Sequence, residues 1–136
     1  MSKKLKVLHV VPTLKKDGAE VQLVELFKEI ENVEIELFTF DLYENGDSIF
    51  NNLNNINIYN QSSIKSIFLL NKIIKNNNYD FVHSHLPKPD LIIGFLKLFN
   101  KRIKHIVSVH AQYGTRAGEN KFKYLITNMF WKIILN

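Results

Sequence analysis

The run LKVLHVV, Leu5 to Val11, is apolar at nearly every position and leads through PTLKKDGAE into VQLVELFKEI. A strand apolar on both faces must be covered on both, which calls for a parallel sheet held between helices. The next segment supplies the first such helix. Ala19, Leu23, Leu26, Phe27 and Ile30 recur at helical spacing, with Glu25, Lys28 and Glu29 on the opposite side. The alternation then repeats. Val33 to Phe40 predicts a second strand and Ile56 to Tyr59 a short third, joined by the turn-rich DLYENGDSIFNNLNN. Ser62 or Ser63 can cap a helix whose Ile64, Ile67, Phe68 and Ile74 line a core face, and Tyr79 to His85 reads as the fourth strand. Pro87 and Pro89 precede a helix from near Asp90, with Leu91, Phe95, Leu98 and Phe99 as its buried stripe. Lys104 to His110 is the fifth strand. From about Glu119, Phe122, Leu125, Ile126, Met129, Phe130, Ile133 and Ile134 define a last helix. The pattern predicts an α/β fold, a single Rossmann-like doubly wound parallel sheet over residues 1–136, in the strand order 3-2-1-4-5.

Composition narrows the function classes. A chain of 136 residues with 46% hydrophobic and 12% aromatic residues is long and apolar enough for one folded domain with a core. Cysteine is absent, which removes disulfides, thiolate ligands and cysteine nucleophiles together and fits a reducing compartment. No run reaches the roughly 18 apolar residues of a membrane span, and the basic start MSKK precedes a β-branched run instead of a secretory leader. The net charge of +5 is concentrated late: from Lys97 onward eight basic residues face Glu119 alone. Such asymmetry predicts an anionic partner near the C-terminal third, or a solvated basic face.

In the expected strand order, the loops KKDGAE, HSHLPKP and HAQYGTRAG lie side by side at the carboxyl edge of the sheet, where ligands bind in doubly wound folds. Gly18, His85 and His110 then converge on one crevice. Gly18 at a helix start could let an anion approach backbone N–H groups, whereas Asp17 as a cap and Glu20 in the first turn serve a helix without any ligand. His83 and His85 share a strand face and form a conceivable metal pair, but no third ligand is evident, so none is assigned. His9, inside an apolar strand, reads as structural. His110 either faces the crevice or bonds a loop carbonyl. The GxGxxG, GxxxxGK[ST] and GxSxG patterns are missing, which argues against a nicotinamide dehydrogenase, a P-loop enzyme or an α/β-hydrolase. No nucleic-acid-binding motif accompanies the basic C-terminal third, and no nucleic-acid partner is expected.

Taken together, KVLHVVPTLKKDGAEVQLVELFKEI, YDFVHSHLPKPDLI and HIVSVHAQYG resemble, in order and spacing, the N-terminal, acceptor-side domain of family 4 glycosyltransferases of the GT-B fold. The resemblance implies a retaining transferase that moves a sugar from a nucleotide-sugar donor to a glycan or lipid-linked acceptor in polysaccharide synthesis, with no metal and no other cofactor. It places Gly18 against the donor diphosphate, His110 as the catalytic histidine beside the transferring sugar, and His85 in cleft positioning. Arg116, Lys15 and Lys16 are cations near these loops, and Arg116 joins His85 as a positioning residue. Where the family often shows a second glycine, this chain has Asp17. The family's second, donor-binding domain is expected to lie outside these residues, so the chain is read as one half of a GT-B fold that needs a partner half. A noncatalytic α/β binding module, or a relic, is the alternative. Tyr124, Trp131 and Leu135 beside Lys121, Lys123 and Lys132 suggest a basic, aromatic helix face suited to an anionic membrane surface, and a cytoplasmic location, peripheral on the inner membrane face, is expected.

Overall fold

The computed structural model describes residues 4–16, 18–41, 48–53 and 56–108. Leu5–Val11 forms β1, Gly18–Glu29 forms α1 and Val33–Thr39 forms β2. A 3₁₀ turn at Ile49–Asn52 leads to β3, Asn57–Asn60. Lys65–Asn76 forms α2, Phe81–His85 β4, Pro87–Phe99 α3 and His105–Ser108 β5. The strands make one parallel sheet in the order β3-β2-β1-β4-β5, the order expected. The fold is therefore an α/β, Rossmann-like, doubly wound sheet. Val109, His110, Arg116, Asp17 and the helix expected from Glu119, with its Tyr124, Trp131 and Leu135, lie outside the described residues.

Strand alternation divides the core in two. Leu8, Val10, Phe38, Phe40 and Val82 point to the face covered by α2 and α3, where they meet Leu70, Ile73, Ile74, Ile93 and Leu96. Val11, Ile35 and Leu37 point to the other face and pack with Leu23, Val24 and Phe27 of α1 and with Phe50 of the 3₁₀ turn. Ser48 starts that turn by accepting a hydrogen bond from the Phe50 amide at 3.0 Å. At the amino end of the sheet the Glu36 carboxylate takes bonds from Tyr79 and Tyr59 and an ion pair from Lys6 at 3.0 Å, tying β1, β2, β3 and the α2–β4 loop together. Burial alone would raise the pKa of Glu36, but the bonds from Tyr79, Lys6 and Tyr59 hold it below the usual carboxylate range.

The helices form where expected, but the expected buried stripes hold only in part: in α2, Ile74 is buried and Ile67 packs against the core as expected. In α2, Ile64 and Phe68 are each 73% exposed, and the buried positions are Ser66, Leu70, Ile73 and Ile74. In α3, Phe95, Leu98 and Phe99 are exposed, whereas Pro89, Asp90, Ile93, Gly94 and Leu96 are buried. Both sequences are apolar on more than one side, so periodicity offers two stripes. Contact with the sheet selects one of them. Nor does Ser62 or Ser63 cap α2: the helix start has no side-chain cap, Ser63 sits at φ 72°, and Ser66 Oγ donates to the Ser63 carbonyl at 2.6 Å. Leu26, expected in the stripe of α1, is also exposed, and Glu20 takes the place beside Leu23 and Val24.

Candidate functional site at the carboxyl edge of the sheet

The strand order reverses between β1 and β4, which pair directly, with Val10 opposite Ser84. This is the switch point at which doubly wound sheets open a crevice. The loop leaving β1 is anchored by Leu14, 3% exposed among the residues under α1, and by a turn in which the Lys15 amide donates to Thr13 Oγ1 at 3.1 Å. Lys15 and Lys16 are left exposed at the loop tip.

Gly18 is the first residue of α1 and is exposed; a Cβ built on it meets nothing within 4 Å. Neither packing nor a left-handed backbone demands a glycine here. What a glycine adds at such a place is room for a ligand to come close to a helix N-terminus carrying partial positive charge. Glu20, in the same first turn, is buried, 1% exposed.

The loop leaving β4 is built differently. Leu86 follows His85 with φ 74° and ψ 159°, a region that side chains other than glycine rarely enter, and α3 begins immediately at Pro87. Pro87 and Pro89 have no N–H to offer, and the Asp90 amide bonds the Leu86 carbonyl at 3.3 Å. The start of α3 is thus a poor anion site, and α1 is the better of the two.

Beneath these loops three histidines meet on the α1 side of the sheet. His9 lies opposite His83 in the β1–β4 ladder, and His85 is two residues further on the same face. The ring centroids of His83 and His85 are 4.2 Å apart, those of His9 and His83 4.9 Å, and those of His9 and His85 5.2 Å and nearly parallel. His9 Nδ1 and His85 Nε2 share a hydrogen bond of 3.0 Å. Burial and, less strongly, His83 hold the pKa of His9 down to about 3, so its ring is neutral at ordinary pH. Phe27 of α1 sits edge-on to His9 at 4.7 Å. His83 Nε2 lies 2.7 Å from Ser108 Oγ of β5. On the opposite face Ser84 Oγ lies 2.6 Å from His105 Nε2.

The site residues read from the sequence therefore fall into three groups. Gly18 is at the switch point and open to solvent. His85 is at the same edge but buried, 3% exposed, and bonded to His9 on the α1 face of the sheet. His110 and Arg116 lie outside the described residues. Sequence reasoning set His9 apart from the His83–His85 pair. What joins them is the strand order together with the register: β1 pairs with β4 so that His9 stands opposite His83, and the two point the same way.

A doubly wound domain takes its ligands at the switch point, outside the carboxyl ends of the strands. The particular family is shown by comparison: the family model of Glycosyltransferase Family 4 matches residues 7–136, and the chain belongs to that family. It is also 27% identical over 126 residues to an uncharacterized glycosyltransferase of Methanocaldococcus jannaschii, a match covering 82% of this chain and 34% of the relative. The chain thus spans about a third of the length of that relative.

Proposed function

We propose that the chain forms the acceptor-side half of a retaining glycosyltransferase that moves a sugar from a nucleotide-sugar to a glycan or lipid-linked acceptor. A donor-binding half, continuous with this chain or separate from it, faces the carboxyl edge and brings the nucleotide-sugar to it. The reading rests on Gly18: an exposed helix start at the switch point, with open space where a side chain would stand and with Lys15 and Lys16 beside it. Family membership makes a sugar nucleotide the natural phosphate-bearing ligand for that start.

In the transfer, the bond from the sugar C1 to the diphosphate oxygen breaks, and its electron pair leaves with the phosphate. The acceptor oxygen bonds to C1 on the same face and gives its proton to the departing phosphate oxygen. Negative charge grows on the leaving phosphate, where fixed N–H donors of the α1 start and nearby cations stabilise it most. No metal or other cofactor is required at the breaking bond if these groups carry that charge. His110 stands beside the transferring sugar as the catalytic histidine, while His85 and Arg116 position the acceptor side of the cleft. The enzyme works in the cytoplasm, on the inner face of the membrane, where lipid-linked acceptors are found.

The test uses the complete enzyme with its donor-binding half. Gly18→Ala is expected to raise the KM for the donor and lower kcat/KM at least about tenfold, a loss of roughly 1.4 kcal/mol of transition-state stabilisation. The same substitution leaves the melting temperature of the chain unchanged or slightly higher, since alanine suits a helix and has space. His110→Ala is expected to abolish most transfer with the fold intact. Near-normal turnover in both variants would remove Gly18 and His110 from the transfer machinery, and no transfer by the parent enzyme would leave a noncatalytic binding module.

A further inference from the structure

We infer that His9, His83 and His85 form a three-nitrogen site for one divalent transition-metal ion of the zinc, cobalt or nickel type, seated against the α1 face of the sheet. One nitrogen from each ring lies within 4.8 Å of the other two. Ligands on a tetrahedral ion with bonds of about 2.0–2.1 Å stand about 3.3–3.4 Å apart. The 3.0 Å between His9 Nδ1 and His85 Nε2 is already near that value, and the third ring closes the remaining distance by a shift of at most about 1.5 Å.

Three features favour an ion over a merely packed cluster. The rings come from two adjacent strands, whose ladder fixes His9 opposite His83, so the donor set is preorganised by the sheet and not by a loop. The donors are imidazoles alone, a set that suits zinc, cobalt, nickel and copper and is poor for magnesium or calcium. Around them stand an apolar ring, Phe27 at 4.7 Å from His9, and a hydroxyl, Ser108 at 2.7 Å from His83 Nε2, the two kinds of neighbour that shield and orient metal-bound histidines. Binding replaces the proton shared by His9 and His85; that proton moves to the other nitrogen of the ring that carried it, so no net proton release is required. A water completes the coordination from the side of His83, the least buried of the three.

This ion is distinct from the transfer chemistry proposed for the loops above it. Its effect is to lock β1 to β4 and to hold His85 in one orientation under the crevice. It stabilises the folded chain by mass action, because the three nitrogens converge only when the strands are paired.

The experiment titrates the tag-free 136-residue chain with ZnCl2 and CoCl2, with MgCl2 as a negative control. One equivalent should bind saturably, and cobalt should give the intense visible absorption of a tetrahedral nitrogen site. At about a hundredfold excess over Kd, zinc should raise the melting temperature by about 5–10 °C. His83→Gln, at the half-buried position, should keep the circular dichroism of the parent and weaken binding at least about tenfold. His105→Gln, on the opposite face, should leave binding unchanged. The inference is overturned by the absence of saturable binding, by binding that survives His83→Gln, or by equal loss in His105→Gln. Should His83→Gln fail to fold, the cobalt spectrum of the parent chain decides: an octahedral, aquo-like spectrum rejects the site.

Discussion

His105 shows how one side chain sets a pH limit on the fold. It is mostly buried between β4 and α3, with Ser84 Oγ at 2.6 Å, and burial, then Lys97, then His83 bring its pKa down to about 4. In the unfolded chain the same ring titrates near 6.5. Between these values the unfolded state binds the proton and the folded state does not. Stability is therefore level above about pH 6.5 and falls as the pH drops toward 4, by at most about 3 kcal/mol from this residue. His105→Gln should lessen that slope, leaving the part that His9 contributes in the same direction, as measured by urea denaturation at several pH values; an unchanged slope would assign the acid sensitivity to His9 or elsewhere. Residues of this kind are only half legible in a sequence. That His83 and His85 share a face follows from strand periodicity. The inclusion of His9 needs the pairing of β1 with β4, which spans more than 70 residues of chain, and the burial of Glu20 needs the docking angle of α1.

At the scale of elements, the junction between β4 and α3 carries the clearest sign of constraint. Leu86 is held at φ 74° and ψ 159° between His85 and Pro87, a conformation that costs a residue other than glycine about 1–3 kcal/mol. Leu86→Gly relieves that strain but loses side-chain packing and gains chain entropy on unfolding, so the net change in stability should stay within about 1 kcal/mol. A loss above about 3 kcal/mol in chemical denaturation would show that packing, not backbone, governs the position. Element type and order were readable because each strand is bounded by turn residues and each helix by polar or proline starts. Facing was not. Where α2 and α3 are apolar on two sides, the choice of Ile93 and Leu96 over Phe95 and Phe99 is made by the sheet, and the rejected side chains remain at the surface with the groove between Phe68 and Phe95.

At the scale of the molecule, β1 is the axis of the structure. It pairs with β2 over seven positions and with β4 over four, and Leu8 and Val10 are fully buried on it. β3 has only four residues, begins and ends with asparagine, and pairs with β2. Native-state hydrogen exchange should therefore find the Leu8 and Val10 amides among the slowest and those of Ile58 and Tyr59 faster. Equal protection would show that the sheet opens only as a whole. The overall topology was readable from the sequence because a parallel sheet of alternating strands and helices has few permitted orders. The central place of β1 also has a consequence in time. As the chain is made, LKVLHVV emerges ahead of the other described strands, yet its second neighbour arrives only with β4; the bond from the Lys6 amide to Asp80 spans 74 residues. During that interval the most apolar strand has an open edge, so the growing chain is most in need of shelter before its first strand has found both partners.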